Sequence, residues 1–315
     1  MKRGSFERRR ANVNIVIEAS RCLWFGVSRL MKPKIVFSEK CLEYGSWHIE
    51  GPGRVRMAYE ILRERGYEFL EPKPAREEDL LKVHDAIYIE MLKRGEIEDP
   101  DTPAYQNIYE YARLSAGGAI TAADVNGFSL MRPPGHHAGR RGTALGAYTK
   151  GFCYINNMAV AVKHLDKPTL ILDIDGHHGN GTQEIFMGDD KVVYISLHRH
   201  PHYPGTGYYS EKNCLNYPLA ADCGDEVYLK TLREALKRVE KQEFEVIAVS
   251  AGFDAYDGDL ASLALTENAY AEIGRILAGL KKPVFFVLEG GYIGENIGKA
   301  VDTMLKALNQ HGQLC

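Results

Sequence analysis

Residues 169–181, TLILDIDGHHGNG, join a short apolar run to two carboxylates, two imidazoles and three glycines. The run Thr169-Leu170-Ile171-Leu172 is continuous rather than alternating, which reads as a strand buried on both faces. The polar cluster then falls where that strand ends. Working outward, KIVFS (34–38), FSLM (128–131), VVYISL (192–197), VIAVSA (246–251) and VFFVLE (284–289) are runs of the same kind. Helical patterns lie between them, among them RVRMAYEILRERG (54–66), NIYEYARLSAGGAITAADV (107–125), EVYLKTLREALKRVEK (226–241) and TENAYAEIGRILAGL (266–280), the last with Thr266 placed as its cap. Such alternation, without a linker or repeat, predicts one doubly wound α/β domain: a mostly parallel central sheet with helices on both faces. In such folds ligands bind at the carboxyl ends of the strands.

Composition bounds the function. With 315 residues, 45% of them hydrophobic, the chain can bury a large core, yet no stretch reaches the ~20 apolar residues of a membrane helix. A soluble globular protein with no membrane partner is expected. Lys and Arg total 39 against 42 for Asp and Glu, so the formal charge of -3 leaves no electrostatic footprint for direct nucleic-acid binding. The six cysteines form no Cys-x-x-Cys pair, which argues against a disulfide framework or a cysteine zinc site and for a reducing, cytoplasmic compartment. MKRGSFERRR and the charge-broken apolar segment after it lack the pattern of a secretory signal. Residues 1–30 therefore read as an N-terminal extension with Met31 as the natural start, and 31–315 as the domain. Nothing in the sequence restricts the chain to a monomer.

Every second residue of an extended segment points the same way, so Asp175 and His177 converge on one point. One carboxylate and one imidazole suit a metal, but a catalytic zinc takes three protein ligands and an open position. Asp254, in SAGFDA after another apolar strand, offers the third. The bland alternative is an Asp-Gly turn or helix cap; the pairing of two strand-end clusters favours the metal. MRPPGHHAG (131–139) adds His136 and His137, and a histidine is the natural base near pH 7. A carbonyl under attack develops negative charge, and Tyr292, after Gly290 and Gly291, offers a donor.

RPPGHHA, GFCYINN, DIDGHHGNGTQEIF, YPGTG, SAGFDA and LEGGY, in that order over residues 132–292, resemble the histone deacetylase superfamily, which includes acetylpolyamine amidohydrolases. Weaker similarity runs from about residue 33. The resemblance implies an arginase-deacetylase fold and a zinc-dependent amidohydrolase. It implies zinc ligation by Asp175, His177 and Asp254, general base and acid work by His137, electrostatic support from His136 and oxyanion stabilisation by Tyr292. It implies that Asp173 orients His136 and that a structural potassium ion is held around Asp173, Asp175, His177, Ser196 and Leu197. Asn180 matches the partner of the second histidine and, with LEGGY, places the chain on the class II-like side. Gly151, Phe152 and Tyr203 match the narrow substrate tunnel, Asp101 the rim carboxylate that grips the substrate, and Arg54 an arginine lining an internal acetate channel. His178 is expected to point away from the metal and support its loop.

The expected reaction is hydrolysis of N-acetyl amides of the acetyl-lysine type; the alternative is an acetylpolyamine or other small acyl-amine substrate. Polyamine-selective relatives can present a glutamate in the loop GDLASLALT (258–266), where Leu260 and Ala261 stand here. Asp257 and Asp259 remain as substitutes if the loop is displaced. The segment 139–150 brings Arg140, Arg141 and Lys150 towards the entrance. Two rival readings are a metal-containing binding protein without catalysis and an arginase-like ureohydrolase, the second needing carboxylates for two manganese ions that DIDGHH does not supply.

Overall fold

The computed structural model describes residues 32–311, so the extension expected over 1–30 lies outside the described residues. The strands are β1 (Ile35–Val36), β2 (Phe69–Leu70), β3 (Phe128–Ser129), β4 (Thr169–Asp173), β5 (Val192–Arg199), β6 (Cys214–Leu219), β7 (Val246–Ala251) and β8 (Val284–Leu288). They form one 8-stranded sheet in the order β2-β1-β3-β8-β7-β4-β5-β6. Every neighbouring pair is parallel.

The continuous apolar runs have the two-faced burial expected of a covered parallel sheet. Leu170, Leu172, Ile247, Val249 and Phe286 enter one core, and the intervening Ile171, Ala248, Phe285 and Val287 enter the other. The first core is closed by α1 (Pro52–Glu64), α7 (Gly224–Arg238), α8 (Glu267–Gly279) and α9 (Gly294–His311), through residues such as Leu62, Leu232, Ile273 and Val301. The second is closed by α2 (Glu77–Leu81), α3 (Ala86–Arg94), α4 (Ile108–Val125), α5 (Asn157–Leu165) and α6 (Asn180–Phe186), through Leu80, Ile89, Ala119, Met158 and Phe186. Local chemistry fixes the ends. Pro52 occupies the first turn of α1, where its missing N–H costs nothing. Thr266 caps α8 as expected, its side chain accepting from the Asn268 N–H.

Strands β2 and β6, and helices α2, α3, α5, α6 and α9, were not read as strands or helices from the sequence. Both unanticipated strands are sheet edges. In β6, Asn216 and Pro218 interrupt the apolar run; proline is tolerated there because an edge strand has a free side.

Register sets the level of the site. Asp173 pairs with Ser250, Ser250 with Val287, and Val287 with Ser129. The ends of β3, β8, β7 and β4 therefore form one row across the middle of the sheet, and the loops leaving them meet above it.

Candidate active site

Asp175 and His177 leave β4, and Asp254 leaves β7. Among the described residues, one group of three potential metal donors has its atoms all within 4.8 Å of one another: these three, all buried. His177 Nδ1 lies 2.8 Å from Asp254 Oδ2 and 3.3 Å from Asp175 Oδ1. The remaining carboxylate oxygens are held by main-chain donors: Gly290 N–H to Asp175 Oδ2 at 2.7 Å and Gly176 N–H to Asp254 Oδ1 at 2.8 Å. A Cβ at position 290 would stand 2.3 Å from Asp254 Oδ2 and 2.6 Å from Asp175 Oδ2, so only glycine lets the β8 loop close over the pair. Burial and the neighbouring Asp175 push the Asp254 carboxyl up to about 6. Burial opposes ionisation of Asp175 too, but the charges of His136 and His177 outweigh it and hold its pKa far below the usual range. Two clustered buried carboxylates beside an imidazole, with their outer lone pairs already occupied, are a donor set that fits zinc.

His136 and His137 follow β3. His136 donates from Nδ1 towards Asp173 Oδ2 at 3.1 Å, and its Nε2 stands 3.8 Å from Asp175 Oδ1. Burial alone would lower its pKa; Asp175 and Asp173 raise it to about 10. His137 is the opposite case, pushed well below the ordinary value by burial and by the charges of His136 and His177. Asn180 donates its Nδ2 to Ala144 O at 2.9 Å, which turns its Oδ1 to His137 Nδ1 at 2.8 Å. His137 therefore donates from Nδ1, and its Nε2 is the bare, proton-accepting nitrogen. His178 turns inward to Thr206 Oγ1 (2.8 Å) and Gln183 Oε1 (2.9 Å), the supporting position expected of it.

Tyr292 leaves β8 with Arg54 over its ring at 5.2 Å and Phe152 edge-on at 5.9 Å. Its hydroxyl makes no hydrogen bond among the described residues. Burial and the charge of Asp254 raise its pKa well above the ordinary value, which keeps the phenol protonated and able to donate. Arg54 is buried and clasps the same loop, donating from Nε to Gly291 O at 2.5 Å and from Nη2 to Glu289 O, with Glu50 at 3.1 Å on Nη1.

The expected tunnel residues stand beside these groups. Tyr203 packs 5.0 Å from the His137 ring and 6.0 Å from the His177 ring, and its hydroxyl donates to Thr149 O at 3.0 Å. Phe152 lies edge-on to His48 at 4.8 Å, and its N–H donates to Thr102 Oγ1 at 3.0 Å. The same Thr102 donates to Asp101 Oδ1 at 2.7 Å, which ties Asp101 to the main chain of Phe152. Asp173 pairs in register with Ser196, whose Oγ contacts His198 Nδ1 at 2.9 Å, and Leu197 is fully buried beside it.

The structure places the remaining candidates as follows. Asp259 is buried and accepts the N–H groups of Leu260, Tyr292 and Ile293, so its carboxylate faces inward and is no gatekeeper. Ala261 is fully buried, which leaves Leu260, 42% exposed, as the outward side chain of that loop. Arg141 and Lys150 are engaged locally, with Asp85 at 2.5 Å and Asp99 at 2.7 Å, and Arg140 donates to Ile185 O at 2.8 Å. Lys150 is thereby buried, while Arg141 stays exposed beside Asp85. Sequence reasoning also missed Glu289. Fully buried, it accepts from Gly135 N (2.8 Å), His136 N (3.0 Å) and Ser250 Oγ (3.2 Å), and burial lifts its pKa to about 7. A glutamate closing the apolar run VFFVL was the available signal.

Gly151 has φ +51°, and a Cβ there would lie 2.4 Å from His137 Cδ2 and 2.9 Å from the Tyr203 hydroxyl. Gly151→Ala is expected to destabilise the chain by about 1–3 kcal/mol and to cut turnover roughly tenfold, because the left-handed backbone strains any L side chain there and the buried His137 ring cannot yield. Thermal unfolding and steady-state turnover check this; unchanged turnover would mean that residue 151 does not abut His137 in solution.

The histone deacetylase domain model matches residues 48–308. The "Probable deacetylase" of Archaeoglobus fulgidus is 41% identical over 295 residues, covering 82% of this chain and 80% of its own. The "Acetylpolyamine amidohydrolase" of Mycoplana ramosa is 32% identical over 319 residues, covering 82% and 92%. Among solved structures, the HD domain of HDA15 superposes with a TM-score of 0.80 at 31% identity, over 88% of each chain. The eight-stranded parallel sheet with helices on both faces is the arginase-deacetylase fold expected from the sequence. Since the domain match takes in every strand-end loop that builds the site, and the relatives align over most of their own length, this chain belongs to the histone deacetylase family.

Proposed function

We propose that the chain is a zinc-dependent deacetylase acting on acetyl-lysine-type amides. The observation that carries this reading is the meeting of a buried Asp-His-Asp donor set with a neutral histidine whose Nε2 is free to accept a proton. Zinc held by Asp175, His177 and Asp254 would polarise the acetyl carbonyl and acidify the attacking water. His137 accepts a proton from that water at Nε2 and later gives it to the departing amine nitrogen, so no covalent enzyme intermediate is required. Tyr292 donates its hydroxyl proton in a hydrogen bond to the oxyanion as charge builds on the carbonyl oxygen. His136, set between Asp173 and Asp175, keeps positive charge beside the reacting centre. Phe152 and Tyr203 flank the aliphatic stem, Gly151 leaves room for it, and Asp101 addresses the substrate at the rim. A structural potassium ion around Asp173, Asp175, His177, Ser196 and Leu197 is part of the same reading, supported by the register that sets Asp173 beside Ser196.

Acetyl-lysine is preferred over acetylpolyamines because Leu260 is the outward side chain where a cation-binding carboxylate would be needed. The acetylpolyamine reading draws on the name of the Mycoplana ramosa relative. No helix among the described residues is long and apolar enough to cross a membrane. A cytoplasmic setting is supported by the free thiols of Cys41, Cys153, Cys214 and Cys223.

The test is a turnover panel of acetyl-lysine peptides, N-acetylputrescine, N-acetylspermidine and small acetamides, run beside metal analysis. The expected result is one zinc per chain and a kcat/KM for the peptides at least about tenfold above that for the polyamines, on the scale of one lost charge contact. A ratio favouring the polyamines overturns the substrate choice; two manganese ions per chain overturn the zinc reading.

A further inference from the structure

Where the loops after β7 and β8 meet stands a carboxylate that no role above has used. Asp259, 8% exposed, accepts from Leu260 N at 2.7 Å (Oδ1), from Tyr292 N at 3.2 Å (Oδ1) and 3.0 Å (Oδ2), and from Ile293 N at 3.1 Å (Oδ2). Its own N–H donates to Tyr256 O at 3.1 Å, which seats it in the β7 loop. Gly291, at φ +108°, makes the left-handed turn that immediately precedes the Tyr292 and Ile293 donors. The Tyr292 hydroxyl has no hydrogen-bond partner among the described residues. Its placement rests on its ring contacts with Arg54 and Phe152 and on its main chain, whose carbonyls at Glu289 and Gly291 are held by Arg54 and whose N–H groups at Tyr292 and Ile293 are held by Asp259.

We propose that Asp259 is a positioning residue for the reaction: it clamps the backbone of Tyr292 so that the hydroxyl stays over the Asp175, His177, Asp254 set. With the same carboxylate it fixes Leu260, so the oxyanion donor and the tunnel mouth are set by one group. The inference rests on the reading of Tyr292 as oxyanion donor. Without Asp259 three N–H groups lose their acceptor, and the loop spreads over conformers in which the hydroxyl is misplaced; turnover then falls with the population of the competent one. Asparagine at this position keeps one accepting oxygen and so restores part of the clamp.

The experiment is a double-mutant cycle on the metal-loaded full chain with Asp259→Ala, Tyr292→Phe and the pair. Asp259→Ala is expected to lower kcat roughly 10–30-fold with KM for a small acetamide nearly unchanged, Asp259→Asn to recover part of this, and Asp259→Ala to cost less than about threefold once Tyr292 is already Phe. In the metal-free chain, amide exchange at Leu260, Tyr292 and Ile293 should speed up in Asp259→Ala while the protection of β7 and β8 is retained. Equal costs in both backgrounds, or unchanged exchange at these three amides, overturn the proposal while leaving the role of Tyr292 standing. A silent Tyr292→Phe overturns that role, and this proposal with it. If Asp259→Ala does not fold, Asp259→Asn enters the cycle under the same criteria.

Discussion

Replacing His137 with alanine is expected to lower kcat by roughly 10²–10⁴, the range spanned by loss of a positioned general base. The residue is suited to the task by its surroundings. Asn180 Oδ1 accepts a hydrogen bond from Nδ1–H, which leaves Nε2 as the acceptor, and burial with two neighbouring imidazoles keeps the ring neutral. His136 cannot substitute, because both of its nitrogens face carboxylates and its raised pKa keeps it protonated. The Asp175, His177 and Asp254 contacts do not pass through His137, so the variant should still bind one zinc per chain. The measurements are kcat at saturating acetyl-lysine peptide and metal content on the same preparation. A loss of less than about tenfold would move the base to another group.

Tyr292→Phe should fold, bind zinc and bind a substrate-like hydroxamate, yet lose roughly 10²–10³ in kcat, the cost of deleting one oxyanion donor. The change removes one oxygen that makes no hydrogen bond among the described residues, so the contacts of the ring with Arg54 and Phe152 persist. An interaction made chiefly in the transition state shows as a fall in kcat with little change in KM. Near wild-type kcat would mean that zinc alone, or another donor, carries the developing charge. Loss of zinc or of the fold would make the tyrosine structural.

The interior strands were legible because burial on both faces leaves an unbroken apolar record: β4, β7 and β8 occupy TLILD, VIAVSA and VFFVL. The edges left weaker marks. Two-residue β2 offers no period, and β6 carries Asn216 because that side chain serves Gln183 and Tyr209 O rather than a core. Helix α5 hid for the reverse reason: Met158 to Val162 are all buried, which erases the 3.6-residue stripe. At the site, residues whose type is itself chemical could be read from the strand-end rule, and the structure brings Asp175, His177 and Asp254 together. Glu289 and Asp259 were visible as acidic residues, Glu289 at a strand end, but their roles were not. They work by accepting main-chain N–H groups from distant loops, and a backbone donor leaves no letter in a sequence.

The strand order has a consequence for the timetable of synthesis. The four central strands lie side by side as β3-β8-β7-β4 but leave the ribosome as β3, β4, β7, β8. His177 emerges 77 residues before Asp254, and Asp175 emerges 115 residues before the Gly290 amide that clamps it. At roughly 5–20 residues per second the first gap alone lasts about 4–15 s. Through that interval the Asp175–His177 pair lacks the partner that Asp254 provides in the folded chain. The three donors are therefore complete only once β7 has paired with β4, and the Gly290 amide that orients Asp175 follows later still, when β8 fills the gap between β3 and β7.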